Sequence, residues 1–152
     1  MYKRQLHAVD LSVDALNLAQ INAKNLSTDI NFQEMDFLNR KSRESLGFYN
    51  IIVSNPPYIS TDEFDQMSDN VLKYEPRMAL VPIGSPDLII FYRELVSFST
   101  KHLFPGGNIY VELNEYLADE IENIFEESGL FELVEVRKDL QGKKRMLKAS
   151  KM

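Results

Sequence analysis

Apolar residues along this chain fall into two rhythms, short unbroken runs and stripes at helical spacing, and the two alternate along the chain. Gln5 to Val9 reads as a short strand that ends at Asp10. Ser12 is suited to cap the helix that follows. Its Leu16, Ala19, Ala23 and Leu26 recur on one face, and Asp14 sits near its positive end. Ile30 to Met35 predicts a second strand, ending at Asp36-Phe37, and the polar segment Asn39 to Leu46 a short helix closed by Gly47. Tyr49-Asn50-Ile51-Ile52-Val53 then reads as a buried parallel strand. Pro56 and Pro57 have no N–H to give a ladder, so this strand must stop at Ser54.

Ser60 to Lys73 is polar and predicts an exposed cover rather than core. With Ser85 as cap and Pro86 as first helical residue, a helix carrying Leu88, Phe91, Leu95 and Phe98 runs to about Leu103. Pro105-Gly106-Gly107 is a tight turn feeding a central-type strand, Asn108 to Leu113. Because a strand follows, the paired glycines are turn chemistry and not a phosphate cradle. Asn114 is expected to cap a helix bearing Leu117, Ile121, Ile124 and Phe125, which Gly129 stops. Phe131 to Arg137 and Lys144 to Ala149 complete a hairpin-like pair linked by Asp139 to Lys143. Strands alternating with helices predict an α/β fold.

Composition narrows the partners. The chain has 152 residues, enough for one domain with a core, and neither repeat nor linker interrupts it, so 1–152 is read as a single domain. No apolar run approaches the roughly 18 residues of a membrane span, and Met1 to His7 lacks a signal-peptide core. Cysteine is absent, which fits a cytoplasmic protein. A net charge of -6 argues against a broad nucleic-acid footprint. The basic cluster Lys138, Lys143, Lys144 and Arg145 reads as a solvated turn. His7 and His102 are too far apart for metal-ligand spacing, so no metal is expected.

The candidate chemistry lies in Asn55-Pro56-Pro57-Tyr58, a stiff loop at the carboxyl end of a strand, where open α/β sheets bind ligands. The Asn55 side-chain oxygen and the carbonyls of Ser54 to Pro56 are acceptors suited to both N–H groups of an amide or aromatic amine. The prolines hold those acceptors without adding donors, and Tyr58 offers an aromatic face to a flat group. A proline-stiffened turn is the plain alternative, but the position directly after Ile51-Ile52-Val53 favours the amine reading. Asp10, at a strand tip before a helix, fits ribose binding and helix capping equally well by position. Asp36 likewise fits a turn-forming aspartate as well as a ligand.

This loop resembles the signature of S-adenosylmethionine-dependent enzymes that methylate an amide or exocyclic nitrogen. Tyr74-Glu75-Pro76-Arg77-Met78-Ala79-Leu80, Phe91-Tyr92-Arg93, Val111-Glu112-Leu113-Asn114-Glu115 and Lys138-Asp139-Leu140-Gln141-Gly142 follow in order. Together they resemble the peptide-chain release factor glutamine methyltransferases (HemK/PrmC-like) from Ala8 to about Leu147. The resemblance implies a Rossmann-like methyltransferase fold, mostly parallel with an antiparallel final strand. It implies Asn55, Pro56 and Tyr58 as catalytic, and Pro57 and Glu75 as further substrate contacts. It also implies Asp10 and Leu11 at the cofactor ribose, and Asp36 and Phe37 at its adenine, with Asn55 beside the cofactor. The turn before Leu88 departs from the family, which usually has Asp-Gly-Leu there.

The family's first strand and glycine-rich cofactor loop have no counterpart, since no glycine precedes Gly47. The resemblance therefore implies the C-terminal part of a catalytic domain, inactive alone and weak in cofactor binding. Strand flanks left open by that strand are expected to pair with each other or to drive self-association. The implied reaction is methylation of a glutamine amide nitrogen in a release factor. The alternatives are methylation of an adenine or guanine amine in nucleic acid, and a non-catalytic interaction module.

Overall fold

The computed structural model describes residues 5–83 and 85–152. The chain packs as two compact units, one ending at Leu46 and the other beginning at Gly47.

The first unit is a strand–helix–strand motif. Strand β1 (Leu6–Asp10) pairs in parallel with β2 (Ile30–Glu34), with Asp10 level with Glu34, and helix α1 (Val13–Asn25) connects them. Ser12 does cap α1, its hydroxyl accepting from the Ala15 N–H at 3.2 Å. Leu16 and Ala23 form the buried stripe, but Leu26 is 76% exposed. The helix has already ended there. Thr28 N–H reaches back to the Ala23 carbonyl and Ser27 N–H to Lys24, with Ser27 at φ 53, so the chain turns away before Leu26 can extend the stripe. The expected helix after Asn39 is a single 3₁₀ turn, Ser42–Ser45.

The second unit holds a four-stranded sheet in the order β3-β4-β6-β5, formed by β3 (Tyr49–Ser54), β4 (Leu103–Glu112), β5 (Phe131–Lys138) and β6 (Lys144–Lys151). β3 and β4 are parallel, and β6 runs antiparallel to both its neighbours, as the hairpin pattern implied. Helix α5 (Ile90–His102) packs on β4, and α6 (Ala118–Glu127) on β5 and β6. Between β3 and α5, with no periodic apolar face, lie three short helices that bury nothing: α2 (Thr61–Asp65), α3 (Asp69–Tyr74) and α4 (Arg77–Leu80).

Burial in the sheet follows the pleat. Ile109, Val111, Leu147 and Ala149 are buried, with Tyr92, Leu95, Ile121 and Phe125 of the helices. The register puts Ile51, Val53, Tyr110, Leu133 and Met146 on the opposite face, and all five are exposed. β3 is therefore not buried on both faces as its apolar run suggested: Val53 is 76% exposed and Ile51 60%. Among the described residues of its own sheet, β3 has a strand partner along one side only.

Four further expectations change. α5 begins at Ile90, not Pro86. The Ser85 hydroxyl accepts from Asp87 N–H at 3.1 Å and the Asp87 carboxylate from Ile89 N–H at 3.0 Å, so local side-chain turns satisfy the backbone before a helix can start. Its buried stripe turns toward Tyr92, Leu95, Phe98 and His102, leaving Leu88 and Phe91 half-buried. α6 has Leu117 at its cap without a side-chain bond, because Asn114 is engaged elsewhere. The basic hairpin is no solvated turn: Lys143 pairs with Glu115 at 2.7 Å, Lys144 with Asp119 and Glu122, and Arg145 with Asp139 at 3.7 Å. His102 is structural, stacked 4.2 Å from Phe98, with Nδ1 at 3.0 Å from the Gly47 carbonyl. Since a carbonyl only accepts, Nδ1 carries the proton.

The glycine turn proves to be a bulge inside β4. Between the pairs Tyr49–Leu103 and Ile51–Asn108, β3 advances two residues while β4 advances five. A Cβ on Gly107 would stand 2.8 Å from the Phe104 carbonyl oxygen and 3.0 Å from that of Asn50. Gly107→Ala is expected to destabilise the protein by about 1–3 kcal/mol, seen as a lower urea midpoint with little change in slope.

Candidate active site

The register of β3 on β4 builds the site. Ser54 is level with Val111, so the chain leaving β3 at Asn55 runs beside Glu112, Leu113 and Asn114. Pro56 is buried, Pro57 and Tyr58 are half-buried, and Asn55 is exposed. The Asn55 side chain makes no hydrogen bond among the described residues.

The far end of the loop is tied down. The Tyr58 hydroxyl donates to Glu112 Oε1 at 2.6 Å. Asn114 Nδ2 donates to the Tyr58 carbonyl at 3.3 Å, and the Asn114 oxygen accepts from Tyr116 N–H at 2.9 Å. This double duty is what removes Asn114 from the cap of α6. Ile59 N–H donates to the Leu80 carbonyl at 2.8 Å, joining the end of α4 to the loop. The Ser60–Glu63 capping box starts α2 directly afterwards. Beneath, the fully buried Tyr92 donates to the Glu112 carbonyl at 2.9 Å. Burial, then the Glu112 bond and charge, push the Tyr58 phenol up to about 12. Tyr92 is raised as well, first by burial and then by Tyr58 and Glu112.

The first unit carries the other candidates. Asp10 and Asp36 lie at the carboxyl end of the parallel pair β1–β2, where Met35 N–H donates to the Asp10 carbonyl at 2.9 Å. One oxygen of each carboxylate is engaged locally, Asp10 Oδ1 by Ser12 N–H at 2.8 Å and Asp36 Oδ1 by Leu38 N–H at 2.9 Å. Leu11 is exposed between Asp10 and Ser12. Phe37 lies under the Arg43 guanidinium at 4.8 Å, and Arg43 Nη1 donates to the Phe37 carbonyl at 3.1 Å. Glu75 is exposed just after α3 and has no hydrogen bond or ion pair to the loop among the described residues.

Sequence reasoning quoted Glu112 and Tyr92 only within resembling segments, read Asn114 as a helix cap and did not single out Arg43. For Glu112 and Asn114 a signal existed: an acid and an amide at the carboxyl end of a central strand, the same logic that picked out Asp10. Arg43 had none, being one cation in a polar run. Among the described residues, no group of His, Asp and Glu is placed to hold a metal, and no helix is long and apolar enough to cross a membrane.

A crystal structure of a methyltransferase from Pyrococcus furiosus aligns with a TM-score of 0.65 at 16% identity, over 96% of this chain and 62% of that one. With the parallel pairs, the antiparallel closing strand and the loop at a strand's carboxyl end, this defines the Rossmann-like fold of S-adenosylmethionine-dependent methyltransferases. The family model described as the methyltransferase small domain matches residues 1–93, and the chain belongs to that family. It is 41% identical over 132 residues to a release factor glutamine methyltransferase of Clostridium acetobutylicum, covering 86% of this chain and 45% of that protein. It is 36% identical over 143 residues to one of Flavobacterium psychrophilum, covering 94% and 49%. The chain thus spans about half the length of the curated relatives it matches.

The Tyr58 bond has a pH signature. Its phenol titrates at about 12 in the folded protein, above the unfolded value of about 10. Its contribution is therefore full below about pH 10 and lost as the pH climbs toward the folded value. Ultraviolet titration is expected to show a phenolate step near pH 12 that Tyr58→Phe removes. An unchanged curve in that variant would contradict the assignment.

Proposed function

We propose that the Asn55–Tyr58 loop binds a planar carboxamide and that this chain serves S-adenosylmethionine-dependent methylation of a glutamine side-chain nitrogen in a peptide-chain release factor. The observation carrying this is the exposed, unbonded Asn55 amide on a loop held rigid by two prolines and the Tyr58 anchor. A release factor as substrate would place the reaction in the cytoplasm. The relatives named for this activity support the choice of acceptor. So does the hairpin, because Lys143, Lys144 and Arg145 face carboxylates rather than standing ready for phosphates.

An amide nitrogen is a poor nucleophile because its lone pair is delocalised into the carbonyl. The Asn55 oxygen and the Pro56 carbonyl accept from its two N–H groups, orienting the nitrogen and favouring the positive charge that develops on it. Alignment of this kind is worth roughly 7–11 kcal/mol, and the aimed acceptors add to it electrostatically. The methylated, cationic amide sheds its proton readily, so a strong base is not needed. Asp10 and Asp36 suit the cofactor, each offering a carboxylate at the carboxyl end of a parallel strand, to ribose hydroxyls and to the adenine amine respectively. Leu11 and Phe37 would pack beside them. The bound cofactor supplies an activated methyl group.

Labelled cofactor, a release factor and the full-length protein are expected to yield a glutamine one methyl group heavier by peptide mass spectrometry. Label in adenine or guanine of added nucleic acid, with none in protein, would overturn the reading. In the full-length protein, Asn55→Ala is expected to lower turnover about a hundredfold or more while leaving cofactor affinity nearly unchanged. Equal losses in both would assign Asn55 to the cofactor.

We extend the proposal to self-association through the edge of β3, which among the described residues of its sheet has a strand partner on one side only. Sedimentation is expected to show a dimer that Val53→Lys disperses. A monomer at all concentrations would refute this.

A further inference from the structure

We infer that Glu112 is a positioning residue, fixing the acceptor loop through the Tyr58 phenol so that the Asn55 amide meets its substrate in one orientation. The inference rests on the amide-binding reading of that loop. The hydrogen bonds that suggest it stand apart from that reading.

Pro56 and Pro57 make the loop a stiff arm, since each ring restricts its own φ and the residue before it. A stiff arm is aimed by its ends. One end is the last residue of β3, fixed by its ladder to β4. The other is Tyr58, gripped at its hydroxyl by Glu112 and at its carbonyl by Asn114. Of those two bonds the Glu112 bond is the stronger. At 2.6 Å it has the length of a hydroxyl on a carboxylate, whereas the amide bond is 3.3 Å.

Glu112 is itself a rigid post. It is the last residue of β4, level with Met146 of β6, and its carbonyl is held by the buried Tyr92 of α5. Its carboxylate is partly withdrawn from water and has one hydrogen-bonding partner among the described residues, Tyr58. A short bond from a phenol to a carboxylate fixes both distance and direction between its two partners. Aiming the loop accounts for its place. If the loop needed only a turn, phenylalanine at position 58 would fill the same space.

The test uses the whole chain and three variants. In Glu112→Ala, amide order parameters at Asn55, Tyr58 and Ile59 are expected to fall below about 0.6 while β4 is unchanged. Methyl transfer should drop about a hundredfold in kcat with cofactor affinity intact. Tyr58→Phe should reproduce this. Glu112→Gln keeps an acceptor for the phenol and should restore loop order and most of the turnover.

Unchanged loop order in Glu112→Ala overturns the inference. Loss of order throughout β4 also overturns it, by making Glu112 merely structural. A Glu112→Gln protein with an ordered loop but no turnover overturns it too, because Glu112 would then act directly on the acceptor. If the unaltered full-length protein transfers no methyl group to glutamine, the amide reading fails, and loop order alone decides whether Glu112 aims the loop.

Discussion

Everything at the candidate site depends on a strand that cannot continue. Two consecutive prolines end β3 after Ser54, and their carbonyls are left without the donors a ladder would have supplied. Left to itself, such an end would be one more proline-rich turn. What makes it a site is the short bond from Tyr58 to Glu112, which pins the loop against the neighbouring strand. The parallel register that sets Ser54 level with Val111 is what brings phenol and carboxylate together. A shift of one residue would turn the Glu112 side chain to the other face of the sheet.

The same economy appears in the first unit. Asp10 and Asp36 each follow a strand, and each uses one carboxylate oxygen to steady the turn it begins. Local capping and ligand binding are often posed as alternatives for such residues. Here the geometry allows both, because a carboxylate has two oxygens and the turn engages one. Arg43 then covers Phe37, so the segment after β2 is held by side chains as well as by its backbone.

The second unit is lopsided. One face of its sheet lies under α5 and α6, while the other exposes Ile51, Val53, Tyr110, Leu133 and Met146. At the end of α5 nearest β4, Lys151 Nζ donates to the Ser99, Thr100 and Leu103 carbonyls at 2.8 to 2.9 Å, a cation completing a helix C-terminus.

By itself the sequence determined the elements whose cause is local. Proline pairs stop strands, Ser12 caps a helix, and the hairpin pattern of Phe131 onward pairs as expected; the place of the candidate loop could be named for the same reason. Only the tertiary structure decided what depended on neighbours distant in the chain. Glu112 gained its role from a residue 54 positions away, and Asn114 left a helix cap to hold the Tyr58 carbonyl. The apolar run of β3 was legible, but not which of its faces would be covered. Burial depends on the partners a surface meets, and alternation along one strand reports only that two faces exist.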